Sequence, residues 1–387
     1  MVLGMKKTLA VMVCILILTA TIAGCGAESN APAQSQPSPA QEAVSQPVTT
    51  PEEPVNNAPA EPLEIKRIAV ICNVIGVNPF LTQIVDKFEE VDRSGIYPME
   101  YSIIECSDIA AFGENIRAAV EEDFDLIISV GFQGGDSIAE ISQMFPDKAQ
   151  YVIIDTVADS PYVKSVVFRP EEAAYLIGIV AGGVSRDAGL PTGPIGGVHM
   201  NPGQGSFEWR FGYMEGARRI SPELTPDDFI FNFTRSFNDP ATAKELALQQ
   251  AAQGVVFINA ASAVSDFGTF EAALEAGFYT SGQDADRTTP DNPYIITTQV
   301  KYTGIVAGMV IDEFFSTGII PGVVSLGLAE GAVGAVYITD DGTNPRNTAV
   351  LTDDIIAEAR RAVQDIIEGR IVLTPVPLEE DYDASFN

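Results

Sequence analysis

Two charged residues, Asp284 and Lys301, stand where they could act together on a small polar molecule. Each follows an apolar run typical of a buried β-strand, and the two runs are consecutive in the chain. A carboxylate accepts hydrogen bonds from two adjacent hydroxyls, and a lysine ammonium donates to a ring or hydroxyl oxygen. On this pattern alone, Asp284 could equally be a turn residue that caps its own backbone, and Lys301 the exposed first residue of a helix.

Aromatic residues near the ends of predicted elements could stack on a planar ring, and the candidates are Phe80, Phe132 and Phe237. Each of them could instead be part of the apolar core, as could Trp209 at a predicted strand–helix junction. Asp136 follows a predicted strand and two glycines, so its carboxylate could contact a ligand or cap the next helix. These residues extend the candidate binding site.

The sequence lacks the residue combinations that many enzymes need. One histidine, His199, and four cysteines are too few for paired zinc-ligand motifs or for histidine-based catalysis. We interpret His199, at a predicted strand end, as a loop residue without a chemical role, with contact to a ligand as the alternative. The glycines from 131 to 135 lack the spacing of a dinucleotide-binding loop, and no Gly-x-Ser-x-Gly elbow is present. We therefore predict a protein that is not an enzyme and has no cofactor and no metal site.

The composition is acidic and rich in apolar residues. The 387 residues carry 22 basic and 53 acidic side chains, which gives a formal net charge of −31. The clustered Lys and Arg that contact phosphates are missing, which argues against nucleic acid and against docking on anionic lipid headgroups. A hydrophobic fraction of 46% is sufficient for a true core, and the length fits about two domains.

Apolar runs and helical patterns alternate from Lys66 onwards. The predicted strands are 67–74, 99–105, 125–130, 150–155 and 164–168, then 194–199, 228–233, 254–259, 278–281, 294–299 and 333–338. The predicted helices are 80–91, 109–120, 137–144, 170–184, 207–220, 240–252, 267–276, 302–315 and 353–368. Alternating βα units predict parallel sheets with helices on both faces. Two such series predict two doubly wound domains with a ligand site in the cleft at their strand ends.

The N-terminal region has the pattern of an export signal. A positively charged start and an apolar run from 8 to 19 lead to two small residues and then Cys25. This order is similar to the bacterial lipobox, in which the cysteine is acylated, although an uncleaved membrane anchor is the alternative. Residues 1–24 are predicted to be a lipoprotein signal peptide, and residues 25–64 to be the lipidated Cys25 followed by a Pro-rich tether.

Several segments between Lys66 and Leu373 carry a family resemblance. They are Gly131-Phe132 with Asp136, Phe145-Pro146-Asp147, the run Val166-Val167-Phe168-Arg169-Pro170-Glu171-Glu172-Ala173-Ala174-Tyr175-Leu176-Ile177-Gly178, Phe237-Asn238-Asp239-Pro240, Ser281-Gly282-Gln283-Asp284-Ala285-Asp286 and Thr297-Thr298-Gln299-Val300-Lys301. Together they resemble the basic membrane protein family. Its members are substrate-binding lipoproteins of ABC importers and include the bacterial purine nucleoside receptors.

The resemblance implies a type I periplasmic-binding-protein fold, with two doubly wound parallel-sheet lobes joined by three crossovers. It also implies that Gly282 and Asp284 hold ribose hydroxyls and that Lys301 lies in the cleft. Further ligand positions implied by the family are Asp136, Phe80 and Asn73, with Phe132 and Phe237 as candidates for stacking on the base. The sequence departs from the family pattern at Asn73, where Asp is usual, at Pro79 and Leu81 beside Phe80, and at the Ala-Ala-Ser-Ala turn 260–263.

The function that the resemblance implies is that of a solute-binding protein of an ABC importer. It would be lipid-anchored at the extracytoplasmic face of the cell membrane, monomeric, and would capture a purine nucleoside for permease and ATPase subunits. A sensory receptor, or a binder of another polar solute such as a sugar or autoinducer, is the alternative. The N-lobe is expected at 65–168 plus about 299–330, and the C-lobe at 169–298 plus about 331–387. Two cysteines could form a disulfide or be small buried residues, namely Cys72 and Cys106.

Overall fold

A computed structural model describes residues 64–203 and 206–376. The predicted signal peptide, Cys25 and nearly all of the predicted tether lie outside the described residues. The strands are β1 Lys66–Asn73, β2 Met99–Cys106, β3 Leu126–Val130, β4 Gln150–Ile154, β5 Val163–Phe168, β6 Ile195–His199, β7 Phe229–Phe233, β8 Phe257–Ala261, β9 Tyr279–Asp284, β10 Ile295–Lys301, β11 Gly322–Leu326 and β12 Val333–Ala335. The helices are α1 Pro79–Ser94, α2 Ile109–Glu121, α3 Gly135–Met144, α4 Pro170–Asp187, α5 Ser206–Ile220, α6 Pro240–Ala252, α7 Asp266–Ala276, α8 Thr303–Ser316 and α9 Asp353–Ile367.

The strands form two six-stranded sheets. The first sheet has the order β11-β5-β4-β3-β1-β2, and the second has the order β12-β10-β9-β8-β6-β7. All pairs are parallel except β10 with β12, which is antiparallel. The chain passes from one sheet to the other between β5 and β6, between β10 and β11, and between β11 and β12. This topology confirms the predicted fold of two doubly wound parallel sheets joined by three crossovers.

Many predicted element ends shift by up to three residues, for example β8 and β9, but the differences in kind lie at the second and third crossovers. Strand β11 was not predicted, because its five residues are mostly exposed at a sheet edge and Val323 is 60% exposed, so they lack the continuous apolar pattern of a buried strand. Strand β12 stops at Ala335, three residues before the predicted end, and it runs antiparallel to its neighbour. Hydrophobicity alone does not specify where such a short strand ends or which way it runs.

Local sequence signals explain where the other elements begin and end. In α1, the side chain of Asn78 accepts a hydrogen bond from the backbone N–H of Phe80, and Pro79 occupies the first turn. The helix ends at Gly95, whose φ of +64° belongs to the left-handed region that glycine adopts without strain. Capping of this kind positions the loops that follow the strands at the carboxyl edge of each sheet.

Helix α4 is the central packing element of the second sheet, and nearly all of its residues are buried. It lies against α5 at very short range, because a Cβ atom on Gly212 or Gly216 would overlap the backbone of Glu171 or Tyr175 in α4. Glycine therefore lets the two helix backbones come into direct contact. As a result, the starts of α4 and α5 are held side by side at the carboxyl edge of the strands.

The structure also bears on the two cysteines of the folded region and on membrane-spanning helices. Cys72 and Cys106 are buried free thiols, so they are small core residues and not a disulfide. Burial raises the pKa of the Cys72 thiol to about 12, which keeps it protonated and unreactive. Across residues 64–203 and 206–376, no helix combines the length and the apolar character needed to cross a bilayer.

Candidate functional site

Lys301 occupies the carboxyl end of β10 and forms an ion pair between the two sheets. Its Nζ lies 2.7 Å from Oδ1 of Asp155, which directly follows β4 in the first sheet. Burial lowers the pKa of Lys301, but the negative charges of Asp155 and Asp284 outweigh this effect, and the pKa is raised overall. The ammonium therefore stays charged although the residue is only 8% exposed. The alternative that Lys301 is the exposed first residue of a helix is wrong, because the residue is buried and ends β10.

Three aromatic rings surround the Lys301 ammonium. Its Nζ lies 5.6 Å from the ring centroid of Phe80, 5.3 Å from that of Phe168 and 5.6 Å from that of Trp209. The rings of Phe80 and Phe168 meet edge to face at 6.4 Å. A cation within about 6 Å of an aromatic face is attracted by the ring quadrupole. The same surfaces give a planar ligand group a place to stack beside a fixed positive charge.

Asp284 ends strand β9 next to Lys301, since Val300 of β10 pairs with Asp284 in the sheet register. The residue is only 5% exposed, and among the described residues no group donates a hydrogen bond to its carboxylate. Burial raises the pKa of Asp284 to about 6, with the nearby charge of Asp155 adding to the rise and that of Lys301 opposing it. The carboxylate therefore has acceptor capacity left for a ligand hydroxyl or N–H.

Asp155 and Asp284 share an unusual backbone conformation. Asp155 has a φ of +81° and Asp284 a φ of +68°, both in the left-handed region that is uncommon for residues other than glycine. Such conformations often occur where a binding site requires a particular side-chain direction. In addition, Gln83 of α1 donates from Nε2 to the carbonyl oxygens of Asp284 (2.9 Å) and Lys301 (3.1 Å). Helix α1, which belongs to the first sheet's side of the molecule, is thus bonded to the ends of β9 and β10 in the second sheet.

Gly282 lies within β9 and has a packing role in the structure. A Cβ atom at this position would overlap the side chain of Arg287 and would lie 2.9 Å from Oγ1 of Thr298. The absence of a side chain lets Arg287 fold back over the strand, where its guanidinium lies 5.2 Å from the ring centroid of Phe267. Gly282 therefore contributes to the site by making room for Arg287 near Asp284.

The remaining predicted ligand residues lie at the strand ends but not around Lys301. Phe132 is 55% exposed and Phe237 is 42% exposed, so neither is a core residue. Asp136 is exposed in the first turn of α3, where Gly134 and not Asp136 is the N-cap. Asn73 is half-buried at the end of β1 and faces Gly131. Whether these four residues contact a ligand stays a prediction.

His199 is not the loop residue that the sequence indicated. It ends strand β6, is fully buried, and its Nε2 lies 2.8 Å from Oδ1 of Asn259. Burial, together with the positive charge of Arg210, lowers the pKa of His199 to about 3. The imidazole is therefore neutral at physiological pH and serves as part of a buried polar network in the second sheet.

Sequence reasoning missed several members of the site. Asp155 follows β4 and Phe168 ends β5 in the first sheet, and Gln83 belongs to α1. The sequence signal that could have identified Asp155 was its position, because it directly follows β4 and Asp284 ends β9. Trp209, a candidate from the sequence, is 4% exposed and lies beside Lys301. These neighbours are distant along the chain and could not be recognised from local sequence. Lys301 and Asp155, for example, are 146 residues apart.

A second polar cluster ties the crossovers together. Arg169, just after β5, donates from Nε to Oε1 of Glu172 at 2.5 Å and from Nη2 to Oε2 of Glu330 at 2.7 Å. Its Nη1 also donates to the carbonyl of Ser325 at 2.7 Å, and Glu172 accepts from the backbone N–H of Leu328 at 2.7 Å. The crossover from β5 into α4 is therefore bonded to the crossover from β11 to β12.

Two doubly wound sheets that meet at charged strand ends and are joined by three crossovers define a periplasmic-binding-protein-like fold. The chain belongs to the ABC transporter substrate-binding protein PnrA-like family, whose sequence pattern matches residues 97–375. This membership confirms the resemblance to the basic membrane protein family. A substrate-binding family also agrees with the prediction that the chain is not an enzyme.

Individual relatives are distant. A lipoprotein of Pyrococcus furiosus is 25% identical over 228 residues, which cover 56% of this chain and 56% of that protein, so the match spans little more than half of its length. The ABC transporter nucleoside-binding protein BmpA of Lactococcus lactis is 24% identical over 295 residues, or 70% of this chain and 78% of that protein. A solute-binding protein of an Aeropyrum pernix ABC transporter system shares the fold with a TM-score of 0.71 and 21% identity, covering 82% of this chain and 96% of that one.

Proposed function

We propose that this protein captures a small polar solute between its two sheets and delivers it to an ABC permease, with a purine nucleoside as the favoured solute. The observation that carries the proposal is the buried, donor-free carboxylate of Asp284 beside the charged Lys301 and three aromatic rings. A ribose diol supplies two hydroxyls to one carboxylate, and a purine supplies a flat face for the rings. The nucleoside-binding relative from Lactococcus lactis supports the same choice.

Capture would involve closure of two lobes around the solute. Strand β10 belongs to the second sheet as far as Lys301, so the boundary expected at 298/299 moves to the end of that strand. We propose lobes of 65–168 with about 302–330 and of 169–301 with about 331–387, hinged at the crossovers that Arg169 ties together. Lys301, Asp155 and Gln83 bond one side of the cleft to the other, so they would favour the closed arrangement. A ligand shifts such an equilibrium only through contacts that it makes better in the closed state.

The location that we propose is the extracytoplasmic face of the cell membrane, with Cys25 as the lipidated residue. The support is the order of charged, apolar and small residues before Cys25, together with the lipoprotein relative from Pyrococcus furiosus. A permease and an ATPase subunit would then be the partners that receive the solute.

Calorimetric titration of the purified protein with guanosine, adenosine and a panel of pentoses tests the proposal. We expect nucleosides to bind in the micromolar range or tighter and free pentoses to bind far more weakly, because they lack the stacking surface. Tight binding of a pentose with no nucleoside binding would instead favour a sugar receptor. Binding of none of these compounds would contradict the proposed solute class.

A further inference from the structure

Asp284 lies at the centre of a tight turn that ends strand β9. The backbone N–H of Ala285 donates to the carbonyl of Gln283 at 2.9 Å, and Asp284 between them has a φ of +68°. A three-residue turn of this form, with a positive φ at its centre, is rare and strained. Backbone strain of this kind persists where the surrounding structure holds it. The contacts made by Asp284 should therefore show what keeps its backbone in place.

The side chain of Gln83 contacts this turn from the first sheet's side of the cleft. Its Nε2 donates to the carbonyl of Asp284 at 2.9 Å and to the carbonyl of Lys301 at 3.1 Å. The same atom also donates to the carbonyl of Pro79, one turn earlier in α1, at 3.0 Å. A side-chain amide nitrogen carries two hydrogens, and here it bonds to the ends of two neighbouring strands at once. Gln83 thus connects the backbone of Asp284 to helix α1.

Helix α1 is itself packed against the same strand ends. Thr303, the fully buried first residue of α8, donates from Oγ1 to the carbonyl of Phe80 at 2.7 Å. A Cβ atom on Gly304 would lie 2.8 Å from the carbonyl oxygen of Gln83, so the backbones of α1 and α8 are in direct contact there. Because α8 begins two residues after β10 ends, this packing fixes the position of Gln83 relative to the ends of β9 and β10.

The backbone conformation of Asp284 determines where its carboxylate lies. The direction of the Cα–Cβ bond follows from the backbone dihedrals, so a relaxation of φ to the usual negative values would turn the side chain away from its present position. In that position Asp284 pairs with Val300 in the sheet register and lies next to Lys301. An amide on the first sheet's side therefore sets the direction of a carboxylate on the second sheet's side.

We propose that Gln83 is a positioning residue for solute binding, because its hydrogen bond to the carbonyl of Asp284 aims the carboxylate of that residue at two adjacent hydroxyls of the solute. This inference rests on the proposed function, since it takes Asp284 as the acceptor for the ribose diol. Gln83 does not contact the solute in this role, because its donors are used by backbone carbonyls. Since α1 and β9 belong to different sheets, ribose recognition is complete only while the two sides of the cleft stand together.

The test compares guanosine with 2′,3′-dideoxyguanosine, which lacks both ribose hydroxyls and so offers no hydroxyl donor to Asp284. In calorimetric titrations, wild type should bind guanosine about 100-fold more tightly, since each hydrogen bond to a charged group contributes about tenfold or more. Gln83→Leu has a similar size but no donor, so the turn at Asp284 loses its hydrogen bond to α1. This variant should bind guanosine about tenfold more weakly and the dideoxynucleoside within about twofold of wild type.

Two further variants separate positioning from packing. Gln83→Glu keeps the shape of the side chain and replaces its donors by acceptors, so it should show the same selective loss as Gln83→Leu. It also keeps the test decisive if thermal unfolding shows that Gln83→Leu folds poorly. Gln143→Leu is the matched control, because Gln143 in α3 also donates from Nε2 to the carbonyl four residues earlier (Ala139, 3.0 Å) and to one outside its helix (Asp159, 3.2 Å). This control should bind both nucleosides like wild type.

The outcomes distinguish this inference from the proposal on which it rests. An unchanged guanosine affinity in the Gln83 variants, or a loss by the same factor for both nucleosides, overturns the positioning role while leaving nucleoside capture intact. Equal wild-type affinity for the two nucleosides overturns it as well, because Asp284 then does not hold the ribose. If wild type binds neither nucleoside, both the proposed solute class and the role of Gln83 are wrong.

Discussion

The Nζ atom of Lys301 lies 2.7 Å from Oδ1 of Asp155, and this ion pair joins the end of β10 in the second sheet to the residue after β4 in the first. The lysine side chain is only 10% exposed and the aspartate side chain 26%, so the pair is largely withdrawn from water. It is both a part of the candidate site and a bond that holds the two sides of the cleft together.

Removing one partner of this pair should loosen the protein. Asp155→Asn leaves the buried Lys301 ammonium without its bonded carboxylate, and we expect the free energy of unfolding to fall by about 1–3 kcal/mol. Urea denaturation measures this change, and small-angle scattering should show a larger radius of gyration without solute. Glu313→Gln is a matched control, since it breaks the Lys164–Glu313 pair (2.6 Å) away from the cleft. Should both variants give the same radius as wild type, the ion pair does not hold the cleft closed.

Asp284→Asn should change solute binding and folding stability in opposite directions, with weaker recognition of ribose and a more stable fold. The native carboxylate is buried without a described donor, so replacing it by a neutral amide should raise the free energy of unfolding at pH 7.5 by about 1–3 kcal/mol. The variant should lose its preference for guanosine over 2′-deoxyguanosine, which we expect to be about 10- to 100-fold in wild type. Calorimetry and thermal unfolding measure the two effects. Equal wild-type affinity for the two nucleosides would exclude a ribose-binding role for Asp284.

Solute affinity should depend on pH through Asp284. Burial raises the pKa of Asp284 to about 6, above its value of about 4 in the unfolded chain, so the folded protein holds this proton more tightly. The contribution of this group to stability is therefore present below pH 4 and is lost as the pH rises through 6. Accepting two hydroxyls requires the ionised form, so affinity should fall about tenfold from pH 7.5 to 5. The Asp284→Asn variant should show a flat profile in the same titrations.

Trp209 should report solute binding, because it is the only tryptophan in the sequence and lies beside Lys301. A stacked purine would change the surroundings of the indole, and we expect a saturable change in its emission. The apparent affinity should agree with calorimetry. Lys301→Met, which keeps the length of the side chain and removes its charge, should weaken binding and reduce the signal. An emission unaffected by a solute that binds calorimetrically would place the base away from Trp209.

Lipidation should depend on Cys25. Two acyl chains on this residue would anchor the protein, since each buried CH₂ contributes about 0.8 kcal/mol. We expect Cys25→Ser to remain an unprocessed precursor that incorporates no labelled fatty acid in cells. Cys72→Ser, which changes a buried core thiol, is the control and should be labelled like wild type. An unlabelled wild type with a signal cleaved elsewhere would rule out the anchor.

The sequence by itself determined the alternation of strands and helices, because buried parallel strands are continuous apolar runs and their helices have an amphipathic period. It also indicated Asp284 and Lys301, since residues at the ends of parallel strands face a common edge. Phe80 was indicated by the family resemblance. Short edge strands such as β11 were missed because their residues are exposed and carry no such pattern.

Only the tertiary structure decided which residues meet. Asp155 and Trp209 come close to Lys301 because two sheets and the start of α5 converge there, and no local pattern encodes contacts across more than 90 residues of chain. The same convergence buries the carboxylate of Asp284 and raises its pKa. Burial and charge are properties of the assembled neighbourhood, so the chemistry of the site depends on the fold, whereas the elements that carry it depend mainly on local sequence.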